Sequence, residues 1–103
     1  MHLALEHLRT SLTKGNLWLY ILSELQLNDA TPGELRSRVL DKRGFAPAAI
    51  TFYSVIYRLR REGLVKRSSD SFRSAYAITP KGRDEFLRAL FLLDEIHESL
   101  GQT

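Results

Sequence analysis

Six cationic side chains lie within sixteen residues near the middle of the sequence. They are Arg58, Arg60, Arg61, Lys66, Arg67 and Arg73. In that stretch only Glu62 and Asp70 offset them. Arginine and lysine donate strong hydrogen bonds to phosphate and carboxylate oxygens. The chemistry that this cluster offers is therefore the binding of a polyanion.

The division of charge along the chain supports the same interpretation. Residues 36–83 hold twelve lysines and arginines against three acidic residues, a local charge of +9, whereas residues 1–35 and 84–103 carry −2 and −4. A basic middle between acidic ends indicates a polyanionic partner for one surface of the protein. The alternative is that these charges simply lie in water.

Other kinds of chemistry find little support in the sequence. No Ser–His–Asp set, pair of neighbouring acids or phosphate-binding glycine loop stands out, so we expect no enzymatic activity. His2, His7 and His97 lack the spacing of metal ligands and the chain has no cysteine, so we expect no metal or cofactor. Without cysteine, a signal-peptide pattern or a membrane-spanning apolar run, the sequence predicts a cytoplasmic, nucleoid-associated protein.

The pattern of apolar residues predicts how the basic cluster is positioned. The length of 103 residues suits one domain, and a first amphipathic helix is expected over residues 2–12. Thr13 is predicted to cap a second helix that ends near Leu27. Thr31, Pro32 and Glu34 have the form of a capping box with proline at the first helical position. The third helix should run from there to about Asp41 and bury Leu35 together with Val39 or Leu40.

The second half of the chain reads as a helix, a hairpin and a long final helix. A fourth helix is predicted over about 48–62 and closed by Gly63 in the left-handed conformation. Two short strands, 64–67 and 74–78, flank a polar tip and form a hairpin. Thr79 and Pro80 repeat the capping signal and begin a helix that reaches about Leu100. The predicted fold is mainly α with a small β-hairpin.

The fourth helix has two different faces. Phe52, Val55, Ile56 and Leu59 fall on one side of a helical wheel and should pack on the core. The other side carries Ile50, hydroxyl groups, tyrosines and arginines, which are the groups that contact phosphates and base edges in the major groove of DNA. With the third helix before it and the hairpin after it, this element completes a winged helix-turn-helix.

The predicted DNA-binding residues follow from this arrangement. Sequence preference should come from the start of the fourth helix, because the leading end of a recognition helix enters the groove. The hairpin, as a wing, should lie along the phosphate backbone. The predicted set is Thr31, Ala48, Thr51, Tyr53, Ser54, Tyr57, Arg58, Arg61, Lys66, Arg67 and Arg73. For Tyr53 and Tyr57 the alternative is a half-buried helix residue with its hydroxyl in water.

Four segments resemble the PadR-type winged-helix transcriptional regulators. They are LTKGNLWLYIL, TPGELRSRVLDKRG, ITFYSVIYRLRREGLVKR and SAYAITPKGRDEF, and the resemblance covers about residues 12–90. It implies that Thr51, Tyr53 and Ser54 belong to the leading part of the recognition helix. Residues 31–35 and the short wing depart from the family pattern, which leaves a related MarR-like or archaeal winged helix as the alternative.

The two ends of the chain are predicted to be dimerisation helices, residues 1–12 and 80–100, around a winged-helix core of residues 13–79. Both are apolar over a wider face than one small core can cover, so a homodimer would bury them. The predicted interface residues are Leu5, Leu8, Leu12, Trp18, Phe86, Leu90, Leu93, Ile96 and Leu100. The alternative is that the last helix folds back on its own domain.

Rival functions remain open at this point. Trp18, the only tryptophan, is expected to pack against the terminal helices across the dimer. An aromatic near the dimer axis lines a pocket for flat drugs in some PadR-like proteins, so a small-molecule effector site at Trp18 is a second hypothesis. The basic face could instead dock an acidic protein. RNA is a third reading, although the chain lacks the exposed aromatic sheet of typical single-strand RNA readers.

Overall fold

The computed structural model describes residues 3–69 and 74–102, so the predictions that concern residues 1–2 and Arg73 lie outside it. Within the described residues the chain forms helices and a two-stranded antiparallel hairpin. The elements are α1 (Leu3–Leu12), a 3₁₀ turn (Lys14–Asn16), α2 (Leu17–Leu25), α3 (Pro32–Arg43), α4 (Ala49–Arg61), β1 (Val65–Arg67), β2 (Tyr76–Ile78) and α5 (Pro80–Gly101). The predicted fold class, a mainly α winged helix-turn-helix, is confirmed.

The hairpin is extended by one residue from the connection between α2 and α3. Strand β1 pairs with β2 so that Val65 lies opposite Ile78 and Arg67 opposite Tyr76. On the other side of β2, Tyr76 exchanges two backbone hydrogen bonds with Ala30, with N–O distances of 2.8 and 3.1 Å. The wing is therefore fixed to the segment that leads into α3.

Short-range capping signals in the sequence are confirmed. The Thr31 hydroxyl accepts from the Glu34 backbone N–H at 3.2 Å, and the Thr31 N–H donates to Glu34 Oε1 at 3.0 Å. Thr79 caps α5 with its side chain alone, because its hydroxyl accepts from the Gly82 N–H at 3.0 Å. Gly63 follows α4 with φ of 78°, in the left-handed region that favours glycine.

One local prediction is wrong, and another is decided between the two residues that it offered. Thr13 does not cap α2, because a 3₁₀ turn intervenes and the Thr13 hydroxyl donates back to the Arg9 carbonyl at 2.7 Å. A threonine hydroxyl can bond the carbonyl four residues earlier as readily as it can cap the next helix, and here the first option is taken. Of the two residues proposed to accompany Leu35 in the core, Val39 is buried and Leu40 is exposed.

The core lies around α2, which contacts α3, α4 and α5. Its largest fully buried side chains are Phe52, Ile21, Leu22, Leu35, Leu59, Val39 and Val65. Glu24 is also buried, with 4% of its surface exposed, and its Oε1 accepts from Lys42 Nζ at 3.0 Å. Removing that partner would leave a carboxylate buried without compensation, so the pair fixes the end of α3 against α2.

Candidate nucleic-acid interface

Helix α4 has the two faces that its sequence predicts. Phe52, Ile56 and Leu59 are buried in the core and Val55 is half-buried. The opposite side is open to solvent, and so is the flank that carries Tyr53. The exposed members of the predicted binding set on this helix are Thr51, Tyr53, Ser54, Tyr57, Arg58 and Arg61. Tyr53 and Tyr57 are 54% and 62% exposed, so part of each side chain is open to solvent.

The leading end of α4 is held by α3 and carries small or apolar side chains. Arg36 Nε donates to the Pro47 carbonyl at 3.0 Å, which fixes the turn before the helix. Ala48 occupies the cap position without a side-chain hydrogen bond. Ile50 is 78% exposed, and the Ser54 hydroxyl donates to the Ile50 carbonyl at 3.0 Å. The donor of Ser54 is thus in use within the helix, and its oxygen remains available as an acceptor.

Two of the predicted phosphate-binding arginines lie over tyrosine rings. Arg61 is 5.7 Å from the ring centre of Tyr57 on α4, and Arg67 on β1 is 5.6 Å from that of Tyr76 on β2. A cation over an aromatic face gains electrostatic attraction and loses conformational freedom. Each guanidinium group is therefore partly ordered before any partner arrives, which lowers the cost of ordering it in a complex.

The wing presents its cations on the outside. Val65 is buried, whereas Lys66 and Arg67 are exposed. Ser68, just after β1, donates to Asp29 Oδ2 at 2.6 Å and so joins the wing to the connection before α3. Arg73, the third predicted cation of the wing, lies outside the described residues.

Thr31 occupies a different position from the rest of the predicted set. It is half-buried at the start of α3, and its hydroxyl already accepts a hydrogen bond from the Glu34 N–H. Its observed role is to cap the first helix of the helix-turn-helix.

The junction between α4 and α5 contains residues that sequence reasoning missed. Lys81 Nζ donates to the Glu62 carbonyl at 2.8 Å, and the Thr79 hydroxyl donates to the Gly63 carbonyl at 2.6 Å. Gly82 lies so close to Leu64, the residue before β1, that a Cβ at this position would overlap the Leu64 carbonyl oxygen. The orientation of α4 is thereby linked to the direction in which α5 leaves the domain. In the sequence, the only sign of this junction is that Lys81 lies two residues after the capping Thr79.

Trp18 lines an open cleft beside this junction. The cleft has a volume of about 480 Å³ and is lined by Trp18, Arg58, Leu59, Glu62, Leu64, Lys81 and Glu85. The indole Nε1 donates to Asn16 Oδ1 at 3.2 Å, and part of the ring packs on the core of its own domain. Two cations, two carboxylates and two leucines line the cleft together with Trp18, so its wall combines charged and apolar side chains.

The terminal helices leave most of their apolar surface uncovered. Helix α1 has no buried residue, and in α5 only Gly82, in the first turn, is buried. The alternative that α5 folds back along its own domain is therefore wrong only for the part beyond Phe86, where the large apolar side chains are exposed. Of the predicted dimer residues, Trp18 and Phe86 pack partly on the core. The exposed ones are Leu5, Leu8, Leu12, Leu90, Leu93, Ile96 and Leu100.

The described residues contain neither a cluster of metal ligands nor a membrane-spanning helix. No three His, Asp or Glu side chains in residues 3–69 and 74–102 come together as a metal site. Over the same part of the chain, no helix combines the length and apolar character needed to cross a membrane.

Comparisons with known proteins find similarity at the level of structure. No protein-family model matches the sequence, and no curated protein matches it. A transcriptional regulator from Clostridium thermocellum is similar with a TM-score of 0.72 and 23% identity, over 84% of this chain and 88% of that one. A protein of Thermoplasma acidophilum described as a transcriptional regulator has a TM-score of 0.62 and 26% identity, over 84% and 89%.

Proposed function

We propose that this protein is a transcriptional regulator that binds double-stranded DNA sequence-specifically as a homodimer. Helix α4 enters the major groove and the hairpin β1–β2 lies along the phosphate backbone. The observation that carries the proposal is the two-sided character of α4, which is anchored by its buried face and exposes hydroxyl, phenol and guanidinium groups without a carboxylate. The similarity to two proteins described as transcriptional regulators supports it.

The proposed contacts are of two kinds. The leading end of α4 reads bases through Ala48, Thr51, Tyr53 and Ser54, because that end of a recognition helix reaches deepest into the groove. Phosphates are bound by the later turns of α4 and by the wing, and such contacts fix register without reading sequence. The residues proposed for these phosphate contacts are Tyr57, Arg58, Arg61, Lys66, Arg67 and Arg73, and Thr31 at the start of α3 is proposed as a further DNA contact.

Dimerisation through α1 and α5 would bury the uncovered apolar surface of both helices. A patch of that extent is unusual on a monomer, and a two-fold interface covers the same patch on both copies. Two copies of α4 about 34 Å apart would reach half-sites one turn of DNA apart. The core of residues 13–79 then binds DNA, while residues 1–12 and 80–100 hold the copies together.

Two finer assignments complete the proposal. The four sequence segments that resemble PadR-type regulators support membership of that group and a cytoplasmic, nucleoid-associated protein. The cleft beside Trp18 is the proposed place for a small-molecule effector, since it adjoins both Arg58 of α4 and Lys81 of α5. Because Trp18 is the only tryptophan, its fluorescence during titration with flat aromatic compounds reports on this cleft directly.

Binding to three polyanions over a salt series tests the DNA assignment against its rivals. The probes are a random-sequence DNA duplex, a single-stranded RNA of equal length and polyglutamate, each followed by fluorescence anisotropy. We expect the duplex to bind most tightly, with log K falling by about 0.9 per phosphate contacted for each unit of log salt. Tighter binding of polyglutamate would favour an acidic protein partner, and tighter binding of the RNA would favour an RNA reader.

A further inference from the structure

The exposed face of α4 begins with an apolar side chain that the binding assignment does not use. Ile50 is 78% exposed. No other isoleucine, valine or aromatic residue of the described chain is as exposed. It is the first residue of a row along one side of the helix, which continues through Ser54, Tyr57 and Arg61. Successive members of the row are four, three and four residues apart, so their side chains are neighbours on the helix surface. Ile50 therefore occupies the leading end of the same row that carries the candidate phosphate-binding arginine.

Nothing in this part of the helix can form the usual two-bonded contacts with purines. Arg or Lys reads guanine, and Asn or Gln reads adenine, through paired hydrogen bonds in the major groove. The segment from Ala48 to Val55 contains none of these four residue types. Its side chains offer methyl groups, two aliphatic hydroxyls, a phenol and a phenyl ring, and the phenyl ring of Phe52 is buried.

The remaining base feature that suits such a surface is the 5-methyl group of thymine. It is the one apolar group on a base edge in the major groove, and apolar side chains contact it in preference to cytosine. The surroundings favour DNA over an apolar protein partner, because α4 has no acidic residue and carries Arg58, Arg60 and Arg61 in its last turn.

We infer that Ile50 is a specificity-determining residue that packs against a thymine methyl group in each half-site. The inference rests on the proposed DNA-binding function and extends it to the base that is read. Ile50 adds no charge and no hydrogen bond, so its contact should change which sequences bind without changing the salt dependence.

Replacing thymine by deoxyuridine tests this, since only the methyl group is lost. Duplexes that bind the wild-type protein are first selected from a random pool, and each thymine of one half-site is then replaced in turn. For one thymine we expect about a fourfold loss of affinity, which corresponds to the transfer of one methyl-sized group out of water. Ile50→Ala should weaken binding to the thymine duplex and bind both duplexes almost equally.

Three controls separate this contact from a general effect. Ile50→Val keeps a branched side chain and should keep most of the preference for thymine. Leu27→Ala removes another well-exposed apolar side chain, outside α4, and should show the full wild-type preference. The slope of log K against log salt should be the same for Ile50→Ala and the wild type, because the substitution removes no cation.

The outcomes are distinct. If the wild-type protein binds no duplex, the proposed function fails and this inference fails with it. If it binds but no thymine-to-deoxyuridine change weakens binding, DNA binding stands and the inference is overturned. A fourfold effect that persists in Ile50→Ala would also overturn it, because another residue would then contact the methyl group.

Discussion

Single cations of the wing should contribute affinity without specificity. Arg67 is exposed on β1 and partly ordered by the Tyr76 ring, so Arg67→Ala removes one guanidinium group without disturbing the core. We expect weaker binding to all duplexes alike and a salt slope smaller by about one unit for each protomer on the DNA. Arg88→Ala, which removes an exposed arginine of α5, is the matched control. Unchanged affinity and slope in Arg67→Ala would show that β1 does not contact DNA.

The hydroxyl groups at the start of α4 should affect specificity and leave stability almost unchanged. Thr51 and Ser54 are exposed, and substitutions at such positions change the free energy of unfolding by less than about 0.5 kcal/mol. Thr51→Ala or Ser54→Ala should therefore alter the sequences selected from a random pool while the melting temperature stays close to that of the wild type. A lower melting temperature with the same selected sequences would place these residues in a structural role instead.

The exposed set on α4 could be predicted from residue types because helical periodicity alone separates its two faces. Phe52, Ile56 and Leu59 repeat at helical spacing, so the positions on the opposite side of the helix must face outward. The roles of Lys81 and Gly82 could not be predicted in this way. Both depend on how closely α5 approaches the end of α4, and that distance is set by tertiary packing between segments whose contact no local pattern encodes.

At the level of elements, the close approach of α5 to Leu64, just before β1, makes a sharp prediction for Gly82→Ala. The new Cβ would overlap the Leu64 carbonyl oxygen and lie 2.8 Å from Ile78 Cγ1, with backbone on one side that cannot move freely. Alanine is the better helix former, but overpacking of this kind costs about 1–3 kcal/mol. Urea unfolding should therefore show a lower free energy of unfolding.

Gly33→Ala is the matched control for that substitution. Gly33 lies in the first turn of α3, as Gly82 does in α5, and a Cβ there would meet nothing within 4 Å. Its free energy of unfolding should stay the same or rise by less than about 1 kcal/mol. If both variants unfold alike, the close contact between Gly82 and Leu64 is not the reason for glycine at that position.

The helices themselves were largely predictable because their ends are marked by local chemistry. The Thr31–Glu34 capping box, the Thr79 cap and the left-handed Gly63 each involve residues within a few positions of one another. Thr13 shows where this approach fails. Its hydroxyl had two partners within reach, and the choice between them depends on how α1 meets the 3₁₀ turn, which the local sequence leaves open.

For the whole molecule, the uncovered faces of α1 and α5 predict a homodimer that a charge in the seam should disrupt. Leu93 and Ile96 are exposed on α5, so Leu93→Glu with Ile96→Glu should leave the monomer fold intact and place four carboxylates in the two-fold interface. Sedimentation equilibrium should show a wild-type dimer, a monomeric double variant and a dimeric Leu27→Glu control. A monomeric wild type at micromolar concentration would contradict the prediction, and so would a dimeric double variant.

The central claim is that two copies of α4 read DNA together, and selection of bound duplexes from a random pool by the wild-type protein tests it most directly. Paired recognition helices about 34 Å apart should select an inverted repeat whose half-site centres are about 10 base pairs apart. The same selection with the Leu93→Glu, Ile96→Glu variant should recover little, because a single domain loses the raised local concentration of the second contact. A pool that shows no enriched sequence, or one half-site without its inverted partner, would contradict the account.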